Sequence, residues 1–193
     1  MLTLILDTAS KYLNIGILDD NKLIVNYSIE ANKRQSEITM STIQKLFSEN
    51  NLSVQDIQSF VITKGPGSYT GVRIAMTIAK VFCSLKPATL YVVNTLHAYV
   101  GNKSGFAMMD ARAQRVFCAS YENGNEVMAP TIKKLDEITY KGDFYGDTKL
   151  INKESLAIDI ITNIVDIKDQ WERVSDIDAL TPLYLKENDA YGR

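Results

Sequence analysis

Residues 60–82 constrain this chain more than any other stretch. A short apolar run, Phe60-Val-Ile-Thr63, breaks into Lys64-Gly-Pro-Gly-Ser-Tyr-Thr-Gly71 and passes at once into a long apolar helical pattern. Gly65, Gly67 and Gly71 allow backbone angles and close approaches closed to other residues, and Pro66 fixes its own φ. Ser68 or Thr70 can cap the helix, leaving free amides above the turn. Such a strand–turn–helix either cradles an anion or turns tightly. It is not a P-loop, because no Gly-Lys-Ser/Thr follows at the required spacing.

The helix after the turn carries more apolar surface than one sheet needs. At roughly 100° per residue, Thr70, Arg73, Thr77, Lys80 and Ser84 form one narrow polar stripe. Val72, Ile74, Ala75, Met76, Ile78, Ala79, Val81, Phe82 and Leu85 spread over about 220° of the rest, against the ~100° that packing on a single sheet requires. The excess calls for a second layer of the same domain or for another chain. Periodicity does not tell which face points inward. The candidate contact residues are therefore Arg73, Ile74, Met76, Ile78 and Val81, with Met40, Ile43 and Phe47 from the preceding helix.

The chain's 193 residues make one substantial domain or two small ones. No stretch approaches the ~20 apolar residues of a membrane span, and the apolar N-terminus is too short for a signal sequence. Cys83 and Cys118 have no ligand-like spacing and read as buried thiols of a reducing compartment, so a cytoplasmic location is expected. Net charge is −2 and the only adjacent basic pairs are Lys33-Arg34 and Lys133-Lys134. Proteins that grip RNA alone usually show a basic face, and none is evident here.

Strands are expected at 2–7, 12–18, 23–29, 57–63 and 89–93, with helices over 36–50 and from the glycine turn onward. The order is βββαβαβ. A second meander follows at 104–110, 115–121 and 126–132, turning at Glu122-Asn-Gly-Asn125, then a short strand at 141–146 and a helix near 156–165. The reading is an α/β chain of two related lobes, 1–103 and 104–193, the second smaller and incomplete. The tail Leu180–Lys186 is expected to fold back onto the body, and Trp171 to lie in the core or between lobes.

A repeated βββαβαβ order resembles the actin-like ATPase (ribonuclease H-like) superfamily, in which the first hairpin places an acidic and small hydroxyl residues near nucleotide phosphates. Asp7-Thr8-Ala9-Ser10 stands at that place. Within the superfamily, Lys64-Gly-Pro-Gly-Ser-Tyr-Thr-Gly-Val-Arg-Ile74 resembles the TsaB family, the bacterial tRNA threonylcarbamoyladenosine biosynthesis proteins. Leu6-Asp-Thr-Ala9, Val93-Asn-Thr-Leu96, Met109-Asp-Ala-Arg112 with Val116-Phe117, Tyr145-Gly-Asp147 and Pro182-Leu-Tyr-Leu-Lys186 fit in order. The second half is shorter than is usual for that family. The resemblance implies a non-catalytic partner of a homologous enzyme, TsaD, which transfers threonylcarbamoyl to adenosine 37 of tRNA. It also implies pairing through the first two helices, a TsaE-type ATPase joining the complex, a homodimer when alone, tRNA contacted only through the complex, and ATP or ADP at the partner interface rather than a cofactor of its own.

The residues themselves argue against catalysis. The homologous enzyme holds metal with two histidines four apart; by resemblance those positions are Thr95 and Tyr99 here, and neither suits a divalent ion in such a site. His97 is the single histidine, expected to be a structural residue near a helix start, so no Cys–His or Ser–His pair can be built without it. Asp7 either orients a metal-bound water or satisfies turn amides, the second being favoured. Arg73 meets an anion, a partner carboxylate or solvent. Asp110 and Arg112 are expected to tie a junction loop together. With Thr8, Gly65, Gly67 and Ser68, Asp7 completes the candidate anion or nucleotide contacts; no catalytic or metal-binding residues are assigned. Three classes follow: a non-catalytic subunit of a tRNA-modifying complex, an actin-like ATPase or phosphotransferase, and a metallopeptidase. Lacking His-Glu-x-x-His, the last is weakest.

Overall fold

Strand β1 (Leu2–Asp7) is buried along its whole length, which is possible only if both faces of its sheet are covered. Its side chains alternate: Leu2, Leu4 and Leu6 enter one apolar cluster and Ile5 another. The computed structural model describes residues 1–185. In it β1 pairs antiparallel with β2 (Tyr12–Asp19), which pairs with β3 (Lys22–Glu30). On its other side β1 runs parallel to β4 (Ile57–Thr63), followed by parallel β5 (Thr89–Val93). Helices α1 (Gln35–Glu49) and α2 (Tyr69–Leu85) make the crossovers.

After α2 and β5 comes α3 (Thr95–Val100), capped by Asn94, whose side chain accepts from Leu96 N and His97 N. A six-residue helix shows no usable periodicity, so the element order read from sequence lacks it. A second sheet then forms from β6 (Gly105–Arg112), β7 (Arg115–Glu122), β8 (Asn125–Lys134) and β9 (Phe144–Gly146), in the order β8-β7-β6-β9. The partial repeat is real. A meander comes first, and β9 runs parallel to β6 as β4 does to β1. What is missing is the crossover helix: only the helical turn Leu135–Glu137 stands between β8 and β9.

The layers run α1/α2, first sheet, α3/α4, second sheet. Ile43, Leu46 and Phe47 of α1 and Ala75, Met76 and Ala79 of α2 fill the first cluster. Leu96, Ala98 and Val100 of α3 and Ile160, Ile161 and Ile164 of α4 (Ile160–Asp166) join the two sheets through the second. Gly16 permits this packing, since a Cβ there would lie 2.5 Å from Ile161 Cγ2. Asn163 is buried in α4 yet satisfied: its amide donates to Ala98 O at 3.0 Å and Tyr99 O at 2.9 Å, pairing carbonyls that the end of α3 leaves open.

The chain then returns to the first sheet. β10 (Glu172–Arg173) pairs antiparallel with β5, so the first sheet has six strands. Trp171 donates its indole N–H to Ile164 O at 2.8 Å and packs against Tyr91, which gives it the core role expected. Residues 174–185 continue along α2. Ile177 and Leu180 pack on the first cluster, Lys80 Nζ donates to Asp178 O at 2.9 Å, and Leu183 N donates to Lys64 O at 2.7 Å. Part of the apolar excess of α2 is thus covered by the chain's own C-terminal segment. Lys186, the last residue of the tail motif, lies outside the described residues.

Candidate functional site

The glycine turn is the docking point of two elements. Ser68 caps α2, its hydroxyl accepting from Gly71 N at 3.2 Å, as the sequence suggested. Its own N–H donates to Ala9 O at 2.7 Å. Thr8 Oγ1 donates to Gly71 O at 2.6 Å and accepts from Ala75 N at 3.3 Å. Gly67 and Gly71 lie so close to the β1–β2 turn that a Cβ would fall 2.5 Å from Ala9 O and 2.0 Å from Thr8 O. Gly65 (φ 100°) faces Leu183. Of the two readings of this motif, the geometry matches the tight turn: Thr8, Ser68 and the three glycines spend their hydrogen bonds and their space on each other.

Asp7 is fully buried at the end of β1. Thr63 Oγ1 donates to its carboxylate at 2.5 Å, Asn14 Nδ2 at 2.9 Å and Ala9 N at 3.2 Å. Ser28 fixes the Asn14 amide by donating to its Oδ1 at 2.6 Å. Burial raises the carboxyl above its ordinary range, while the three donors oppose that shift. Every oxygen of Asp7 therefore already has a partner within the fold.

The α1/α2 face separates the remaining candidates. Ile43, Phe47 and Met76 are core residues, 0%, 1% and 4% exposed, so they are not surface contacts of this chain. Ile74 and Ile78 are half-buried, whereas Met40 and Val81 are exposed. The outer side of α2 carries an i, i+4 row missed in the sequence: Tyr69, Arg73, Thr77, Val81 and Leu85, all exposed. Tyr69, Val81 and Leu85 are 60%, 50% and 79% exposed, an unusual outlay of large apolar side chains on one helix. At the N-terminal end the Arg73 guanidinium lies 4.3 Å from the Tyr69 ring centre, and Nε donates to Tyr184 Oη at 2.8 Å. Tyr184 stacks on Tyr69 at 5.5 Å. The spacing 69-73-77-81-85 was visible, but the apolar count masked it.

Thr95 and Tyr99 are buried one turn apart on α3, and Tyr99 is hydrogen-bonded to Ser10. Among the described residues no three His, Cys, Asp or Glu side chains gather as metal ligands, and no helix is long and apolar enough to cross a membrane. His97 is buried and stacks on Tyr121 at 4.4 Å. Arg112 N donates to Asp110 Oδ1 at 2.8 Å, and Asp110 N donates to Asp147 Oδ2 at 2.8 Å, tying the β6–β7 turn to the segment after β9. Cys118 is buried, with its thiol pushed up to about 11; Cys83 is half-buried and packs on the first cluster.

Two lobes that begin with a three-strand meander continued by a parallel strand, with helices between them, define the actin-like ATPase class of folds. The crystal structure of YeaZ from Pseudomonas aeruginosa superposes with a TM-score of 0.73 at 16% identity over 95% of this chain and 99% of that one, a likeness of fold. The family model described as TsaD, tRNA N6-adenosine threonylcarbamoyltransferase, matches residues 28–166. The uncharacterized protein MG208 of Mycoplasma genitalium is 31% identical over 191 residues, 95% of this chain and 94% of its own length. The tRNA threonylcarbamoyladenosine biosynthesis protein TsaB of Bacillus subtilis is 29% identical over 137 residues, 68% of this chain and 60% of its own. The chain belongs to the TsaB family.

Proposed function

We propose that the chain is the non-catalytic subunit of the bacterial cytoplasmic complex that makes N6-threonylcarbamoyladenosine at position 37 of tRNA. Its task is to bind a TsaD-type homologue and hold it in its working conformation. The observation that carries this reading is the outer row of α2. A soluble helix that leaves Tyr69, Val81 and Leu85 in water beside Arg73 has the composition of an interface centre, where aromatic and Arg anchors dominate. Met40 on α1 and the half-buried Ile74 and Ile78 extend the face. The relatives named TsaB supply the pathway, and the TsaD family model suits a partner of related fold.

The ATPase reading draws less support, because the Thr8 hydroxyl and Ser68 amide that would meet phosphates are spent within the fold. Nucleotide, where used, belongs at the partner interface near Arg73, and a TsaE-type ATPase joins the assembly. Alone, the chain covers the same face by homodimerising. With no basic face, it reaches tRNA through the complex and binds it alone no better than non-specifically, at ~10⁻⁴–10⁻⁶ M.

Reconstitution tests the proposal. Modification of an unmodified tRNA by the homologous enzyme and its other subunits should fall at least about 100-fold when this chain is left out, and adding it back should restore it. Full activity without it would reject the proposal.

A further inference from the structure

A cavity of about 330 Å³ opens between the lobes, away from α2 and the glycine turn. It is lined by Lys64 and Asn94 from the first lobe, His97 of α3, Tyr121, Glu126 and Pro130 of the second sheet, Gln170 and Glu172 beside β10, and Leu183 and Leu185. Two of these side chains are buried and carry polar atoms without a partner: His97 Nε2 and Tyr121 Oη. Buried polar atoms are paired in folded proteins with few exceptions, and each exception costs about 1–3 kcal/mol. Two unpaired atoms on stacked rings, both lining one cavity, make a prepared site.

The charge around them selects the ligand. The other nitrogen of His97 is bonded to the Gly124 backbone, and burial keeps the ring below its ordinary pKa. A neutral ring that donates from Nδ1 to a carbonyl has a bare lone pair on Nε2, an acceptor. Carboxylates dominate the surroundings: Asp169 acts on His97 and Glu126 on Tyr121. The cation lining the cavity, Lys64, is held by Glu172 at 2.5 Å. We propose that this inter-lobe cavity binds a small primary ammonium compound, its N–H groups donating to His97 Nε2 and Tyr121 Oη and its charge facing Glu126.

Because His97 is the single histidine of the chain, the ¹⁵N spectrum of histidine-labelled protein reports the site directly. Nε2 should appear as the unprotonated nitrogen near pH 7.5. Ethanolamine hydrochloride should shift it saturably with a Kd near ~1 mM, while sodium acetate and acetamide at equal ionic strength leave it in place. Tyr121→Phe should weaken ethanolamine about tenfold, the size of one lost hydrogen bond. Should that variant not fold, Glu126→Gln at the exposed rim should weaken it several-fold. The absence of a saturable shift, an equal response to acetate or acetamide, a protonated Nε2, or unchanged affinity in the folded variant would overturn the proposal. The isolated chain suffices, so the outcome is independent of partner binding.

Discussion

The Thr8 hydroxyl donates to the Gly71 carbonyl at 2.6 Å and accepts from Ala75 N, joining the first hairpin to the first turn of α2. Sixty-three residues apart in sequence, the two meet at a spacing that no side chain on Gly71 would tolerate.

Gly71→Ala is therefore expected to be the most damaging small substitution in the turn. The added Cβ would stand 2.0 Å from a backbone oxygen that cannot swing aside, at a cost of about 3 kcal/mol or more. Thermal denaturation should show a midpoint lowered by roughly 6–12 °C for a chain this size. Ser68→Ala, which removes only a cap, should cost about 1 kcal/mol. Equal losses in the two variants would mean that the helix and hairpin are not in this contact.

Asp7 gives the stability a pH dependence of defined sign. Its folded pKa lies above the ordinary 3.8 because the group is buried, so the unfolded chain ionises first. Stability is greatest below the ordinary Asp range and declines as pH rises through that range toward the folded value. Asp7→Asn should be less stable throughout, because the Asn14 and Ala9 donors lose their acceptor, yet it should lack this decline. Denaturant unfolding of both proteins between pH 3.5 and 7 measures the difference, which should narrow as pH rises. A difference that widens with pH would show the carboxylate to be net stabilised.

The first lobe was legible in sequence to within a residue or two per element, because alternation in β1 and β2, the glycine turn and the 3.6-residue period of α1 and α2 are local signals. The partial repeat was legible for the same reason. Two things were not. Periodicity fixed the width of the apolar arc of α2 but not its orientation, so Ile43, Phe47 and Met76 were grouped with Val81 although they face the sheet. The return of the chain after Trp171, as β10 and then along α2, depends on pairings more than 80 residues apart, for which the short run 172–173 carries no pattern. Tyr184, 111 residues from Arg73, was out of reach for that reason.

Arg73→Glu should weaken assembly with a TsaD-type partner, or its nucleotide dependence, more than it affects folding. The side chain is exposed and held by Tyr184 and the Tyr69 ring, so its loss should cost the monomer no more than about 1 kcal/mol. Sedimentation with and without ATP checks this, and an unchanged assembly curve would return Arg73 to the ordinary surface.

Purified alone, the chain should turn over no ATP and cleave no peptide. His97 is its one imidazole and no carboxylate is its hydrogen-bond partner, so a general base for either reaction is lacking. Steady phosphate release that survives repeated purification and is lost in Asp7→Asn would favour the ATPase reading.

The central claim is that the exposed row on α2 binds the catalytic homologue. Sedimentation velocity of this chain mixed with a TsaD-type homologue tests it most directly, comparing the native chain with the double variant Val81→Glu, Leu85→Glu. The native chain should form a one-to-one complex, and the variant, with an unchanged melting temperature, should lose at least about 2 kcal/mol of binding, roughly thirtyfold in Kd. Equal binding by the two, or no complex with the native chain at micromolar concentration, would contradict the account.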